Sequence, residues 1–421
     1  MVYTVRLVAR RLADLEIWSV GLAVAVGVIV PRTLPIVLSV ALLWWGIRWL
    51  GYGRLSVRTP IDWSVALLGV MLPVTLWVTV IPDTTLPQVY RLLSGIALYY
   101  AIVNWTTNLA RLRLLLVGVV VIGLLLASIA PLTVQWGGGK LPLLPDALYT
   151  RLVPIVADTV NPNVMAGLLV LLLPLLLALT LFDGRHWSRL AYLLTLMSLP
   201  MMGGTLLLTQ SRGALLALAA ALMLLIGLRW RHGWLLTLMV VVALISAMVL
   251  VGATPLLDLV TTSRTFGGFD KRIEIWSRAI YMIHDFPFTG IGMGAFGMVT
   301  DRFYPLFLTA PDTIPHAHNL FLQIAVDLGI PGLIAWVAIV LGILAGSWQV
   351  YRHGCMMGDG WVTGMGAGLL GSQVALLVHG LTDAVTWGMV RPAVLVWGIW
   401  GIAMANWQMY TSTQSHSAVA K

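Results

Sequence analysis

Apolar blocks of about 18 to 25 residues follow one another along this chain, and each is long enough for a helix to cross the roughly 30 Å hydrocarbon layer of a bilayer. That repetition constrains the fold more than any other feature. None of the blocks alternates as a lipid-facing β-strand would, so helices carry the crossings. With 59% hydrophobic and only 10% charged residues there is too little polar surface for a water-soluble globule. The chain therefore reads as an all-α integral membrane protein.

Length and punctuation place about twelve spans near 17–31, 34–50, 63–82, 89–105, 114–134, 162–182, 190–209, 214–230, 234–254, 319–346, 361–384 and 388–408. Connections 51–62, 106–113, 183–189, 229–233 and 347–360 carry Arg54, Arg58, Arg111, Arg113, Arg185, Arg189, Arg229, Arg231 and Arg352. They fall on the same face as Arg6, Arg10 and Arg11, which the positive-inside bias assigns to the cytoplasm. The longest connections, 135–161 and 255–318, then face outward. The formal charge of +9 needs no nucleic acid, because topology already explains the basic clusters. Cys355 stands alone, which excludes an intramolecular disulfide and a multi-cysteine metal site. The basic start lacks a small-residue cleavage site and is read as leading into a retained helix. The organisation expected is N-terminal transmembrane helices over 1–150, a second transmembrane region over 151–410 that includes the outward loop 255–318, and a disordered cytoplasmic tail over 411–421.

A loop of that length is where function is sought first. Within it, KRIEIWSRAIYMI (271–283) spaces Ile273, Trp276, Ile280 and Ile283 as an amphipathic interfacial helix would. The glycines of DFPFTGIGMGAFG after it suit close backbone approach to a ligand, although the pattern is no P-loop. Arg212, at a short polar break in LLLTQSRGALLAL, either snorkels to headgroups or grips a phosphate beside Ser211 and Gly213. The same choice applies to Arg272, and Arg278 leans towards headgroups; Lys271 and Arg264 read as surface charges. Asn161 and Asn163 open the span after Asp158 as helix caps.

His316 and His318 stand just before the tenth span, beside Pro315 and Asn319. Without a carboxylate or cysteine close in sequence they make a poor metal site, and a proton acceptor is the better reading. Asp327 lies inside the following span as a candidate buried anchor, and His379 and Asp383 are candidates to line the same cavity. Outward cations and a possible base beside an apolar bundle suit a lipid-linked phosphate substrate, with no metal or other cofactor expected.

The run His318-Asn319, nine residues, then Gly329-Ile330-Pro331-Gly332 resembles the signature of the O-antigen ligase family, which shares a domain with the O-antigen polymerases. NPNVMAG, TQSRGALLA, RIEIWSRAI with FPFTGIGMGAF, and HGLTDA agree in order, so the resemblance runs over roughly 160–385. It implies a metal-independent, inverting glycosyltransferase of the GT-C type in the inner membrane, moving a glycan from undecaprenyl pyrophosphate to an acceptor such as lipid A-core on the outer face. By position it implies that Arg212 and Arg272 bind the donor pyrophosphate and that His318 activates the acceptor hydroxyl. Asp383 matches a late acidic position, while His316, Asn319, Arg278 and Asn163 are secondary candidates. A polymerase extending lipid-linked repeat units shares these blocks. A polysaccharide transporter or flippase is the reading of a different class, disfavoured by the lack of paired broken helices in two matching halves.

Overall fold

The structure, a computed structural model, describes residues 2–137, 145–156, 158–183, 188–251, 269–308 and 314–419. Arg185, Arg264 and the whole of 255–268 lie outside them. The helices are α1 (Val2–Leu12), α2 (Glu16–Ile29), α3 (Leu34–Tyr52), α4 (Asp62–Val78), α5 (Pro82–Trp105), α6 (Leu109–Thr133) and the short α7 (Asp146–Tyr149). They continue with α8 (Pro162–Asp183), α9 (Arg189–Leu208), α10 (Arg212–Arg229), α11 (Gly233–Val251), α12 (Phe269–Asp285), α13 (Phe296–Phe303), α14 (Leu320–Met357), α15 (Gly360–Gly380) and α16 (Val394–Val419). Among the described residues there is no strand, only an isolated bridge between Val134 and Val160.

Each expected span overlaps a helix, and among the described residues eight helical segments are long and apolar enough to cross a membrane. The protein is an all-α, multi-pass membrane protein. The region 411–419, expected to be disordered, continues α16 as helix, since each added residue extends a hydrogen-bond ladder already nucleated in the apolar turns before it.

The most enclosed helices are α8 and α15. They pack backbone to backbone: a Cβ on Gly368 of α15 would come within 2.8 Å of the Leu175 Cα in α8. Inside a bilayer such close van der Waals contact holds helices together, because lipid is as apolar as the side chains. Arg48, Arg58 and Arg111 lie at one end of the bundle. There Arg48 pairs with Glu16 at 3.1 Å and Arg111 with Asp14 at 2.8 Å, and Gln408 donates to the Arg58 carbonyl at 3.0 Å. Asn104 also donates to Glu16 at 3.1 Å, so this buried charge, unremarked in the sequence, is paired on two sides.

The opposite end is organised by a break in α14. Gly329 has φ 70° and ψ −179°, a conformation open essentially only to glycine. The break receives the glycine-rich segment after α12: Ile330 N–H donates to the Pro287 carbonyl at 2.7 Å, and Ile291 N–H to the Val326 carbonyl at 2.8 Å. The glycines of that segment were expected to admit a ligand. They admit protein instead, since a Cβ on Gly290 would meet the Val326 and Asp327 backbone and one on Gly292 would meet Thr79.

Asp327 is the anchor expected of it. Its carboxylate accepts from Trp387 Nε1 at 2.8 Å, from Gln323 Nε2 at 2.8 Å and from Gly294 N–H at 3.4 Å. Two connections, through Gly294 and Trp387, are thereby fastened to one buried group that Gln323 also satisfies from its own helix, which is the condition under which a buried charge is tolerated.

Candidate functional site

Asp383, His316 and His318 form the centre of this end. Asn319 builds it by working in two directions: its Oδ1 caps α14, accepting from Phe321 N–H at 3.0 Å and Leu322 N–H at 3.1 Å, and its Nδ2 donates to the Leu381 carbonyl at 3.1 Å. The second bond ties the histidine segment to the turn after α15. His318 consequently adopts a left-handed φ of 48°, a cost that persists only where surrounding contacts fix the backbone. Those contacts include Ala317 N–H to Gln323 Oε1 at 2.8 Å and His318 N–H to His316 Nδ1 at 3.1 Å.

Both imidazoles then face one carboxylate. His316 Nε2 and His318 Nδ1 each lie 3.7 Å from Asp383 Oδ1, and their ring centroids are 4.2 Å apart. The remaining capacity of Asp383 is met by Asn163 Nδ2 at 2.9 Å and by Ala384 N–H at 2.8 Å. Asn161, not Asn163, does the capping, through Asn163 N–H at 2.8 Å. His379 is buried beneath the cluster, against Gly167 and Gly213.

Burial pushes the Asp383 carboxyl up, but the neighbouring His318, with the other histidines around it, overrides this and holds the group well below the usual carboxylate range. Burial pushes His316 down to about 4, helped by the charges of His318 and Arg272 and opposed by Asp383. His316 is thus a neutral spacer, and its Nδ1, accepting from the backbone, leaves the proton on the Nε2 that faces Asp383. The side chain of His318 is 29% exposed while its Nδ1 is enclosed, so the open edge of that ring is the one away from Asp383.

A stability prediction follows from His316. The unfolded chain takes up this proton near 6.5 and the folded chain only near 4, so the contribution of the neutral ring is complete above 6.5 and is lost as pH falls through about 4. Thermal unfolding is expected to show a falling midpoint over that interval, and His316→Asn is expected to flatten the fall.

The two arginines flank this centre from separate helices. Arg212 opens α10, where Gly213 lies against Thr382 and His379; a Cβ there would overlap Thr382, so this glycine serves packing and not a ligand cradle. Arg272 is half-buried on α12, which packs on α14, and its charge acts on His316. Arg278 is tied elsewhere, with Nε donating to the Pro305 carbonyl at 3.0 Å and the guanidinium over Tyr281 and Phe307.

The reading of the histidines as a poor metal site rested on the lack of a carboxylate close in sequence; folding brings Asp383, a candidate for the same cavity, to them across the chain. His316, His318 and Asp383 offer donor atoms within 4.8 Å of one another, a set that suits a divalent metal as well as a proton relay. Sequence reasoning also passed over Gln323, whose signal was a fully buried amide inside an apolar span.

Fold and site together define a multi-pass helical membrane protein with a carboxylate-oriented histidine pair at one end of its bundle. Residues 197–337 match the family model described as O-antigen ligase, a segment narrower than the 160–385 read from the sequence but one that holds both arginines and both histidines. An O-antigen ligase of Pseudomonas aeruginosa is 32% identical over 178 residues, which is 42% of this chain. The chain matches about two fifths (41%) of the length of that curated relative. Over this segment the chain is similar to the O-antigen ligase family.

Proposed function

We propose that the protein is an O-antigen ligase-like glycosyltransferase that moves a glycan from undecaprenyl pyrophosphate to the hydroxyl of an acceptor such as lipid A-core. The observation that carries this reading is His318, with Nδ1 turned to Asp383 at 3.7 Å and its other edge open. A carboxylate behind an imidazole fixes its orientation and stabilises the cation formed when it takes a proton. The acceptor oxygen bonds to the anomeric carbon as the bond from that carbon to the diphosphate oxygen breaks. The hydroxyl proton passes to His318 Nε2, and the electron pair leaves with the diphosphate. Displacement from the opposite face inverts the anomeric centre.

Arg212 and Arg272 are assigned to the diphosphate, where guanidinium groups neutralise the charge that grows in the transition state. The position of Arg48, Arg58 and Arg111 at the far end of the bundle supports a site on the outer face of the inner membrane. Reaction at that face draws on donor already carried across the bilayer.

The test is transfer by purified protein from a defined undecaprenyl-pyrophosphate glycan, offered lipid A-core or a second lipid-linked repeat. Product on lipid A-core supports the ligase reading, and product only on the second repeat makes the protein a polymerase. Arg272→Ala and Arg212→Ala are each expected to raise the donor KM by about 10- to 100-fold, the worth of a charge-assisted contact. A chelator should leave the rate unchanged. Loss of transfer with chelator, restored by a divalent ion, would make the His316, His318 and Asp383 set a metal site and overturn the base assignment.

A further inference from the structure

A groove of about 310 Å³ opens beside the histidine centre and runs along the contact between α14 and α15. Its walls include Phe321, Trp336, Val340 and Leu344 of α14, with Leu377 of α15 and Leu381 just beyond it. The lining is almost wholly hydrocarbon. Trp336 meets Phe321 edge-on, with centroids 5.7 Å apart.

The mouth of the groove belongs to the site itself. Phe321 follows His318 by three residues, and Leu381 precedes Asp383 by two and accepts the Asn319 bond that joins the histidine segment to α15. From there the groove follows Trp336, Val340 and Leu344, one helical face spaced by four residues, for about 12 Å along the span. It thus leads from the histidines towards the hydrocarbon interior. Within a bilayer a surface of this chemistry is covered by a hydrocarbon chain, and its position decides whose chain that is.

Resting on the function proposed above, we propose that this groove holds the polyprenyl chain of the donor next to its diphosphate. In the donor the diphosphate is bonded to the chain on one side and to the reacting sugar on the other. With the anomeric carbon at His318, the chain must leave from the site. The acceptor differs, because its reacting hydroxyl lies on a glycan far from its own lipid. A groove that starts within one helical turn of the base therefore fits the donor and not the acceptor, whichever acceptor is used.

The experiment fills the groove. Val340→Trp and Leu377→Trp are compared with the parent using an undecaprenyl donor and a two-isoprene donor carrying the same glycan. The ratio of long-donor to short-donor kcat/KM is expected to fall about tenfold, since excluding two methylenes of contact has roughly that effect. The loss should appear in KM for the long donor. Direct binding of undecaprenyl diphosphate is measured in parallel and should weaken by a similar factor, and thermal unfolding identifies any variant that has lost its fold.

An unchanged ratio and unchanged binding in both folded variants would overturn the proposal, as would equal losses for long and short donors. If the parent transfers neither donor, the glycosyltransferase reading fails while the binding measurement still decides the groove.

Discussion

His318→Ala is expected to lower glycan transfer by about 10²- to 10⁴-fold, the usual contribution of a positioned general base, while donor binding stays within about twofold of the parent. The separation follows from the layout of the site. The arginines assigned to the diphosphate come from α10 and α12, and neither depends on the imidazole for its position. His318 itself holds few structural contacts through its ring, whereas Asn319 caps α14 and joins it to Leu381. Rates measured under single-turnover conditions, beside equilibrium binding of undecaprenyl diphosphate, check the split. Transfer at the parental rate would remove His318 from the chemistry.

Gly329→Ala is expected to be among the most damaging single substitutions for the fold itself. An alanine at φ 70° and ψ −179° costs about 1 to 3 kcal/mol in backbone strain alone. Its Cβ would also sit 2.7 Å from the Phe288 carbonyl carbon and 2.9 Å from the Pro287 oxygen, and backbone atoms cannot swing aside as a side chain can. Separating the two segments would break the bond from Ile330 N–H to Pro287, a further loss of about 1 kcal/mol. Together these amount to more than about 3 kcal/mol, enough for a clear drop in the thermal midpoint in detergent or in the amount of folded protein recovered.

The helices were legible in the sequence because bilayer thickness imposes a length on each apolar block, and every expected span overlaps a helix. The pairing of residues across the chain was legible only in outline, since Asp383 stood out as a candidate for the histidine cavity but not as the partner of both rings. His316 and His318 are visible as a motif, yet the carboxylate that gives them meaning stands 65 residues beyond His318, and no local pattern links the two. Asn163 shows the same difficulty. As an asparagine at the start of a helix it reads as a cap, and only the packing of α8 on α15 turns its amide towards Asp383. The glycines of 290–294 suggested room for a ligand, because sequence marks close approach without saying what approaches. Arg278 stayed ambiguous for a related reason, since a guanidinium on an amphipathic helix looks alike whether it meets lipid, ligand or, as here, a neighbouring carbonyl.

The hydrogen bond between Asn163 and Asp383 spans 220 residues, and this distance orders events during synthesis. A nascent chain displays its arginines and histidines long before the carboxylate emerges from the ribosome. The histidine end can be completed only once α15 and the turn behind it have been threaded and docked against α8. A polypeptide halted short of that turn would carry Arg212, Arg272 and both histidines without the carboxylate, and under the function proposed above half-inserted copies would be inert towards lipid-linked sugars.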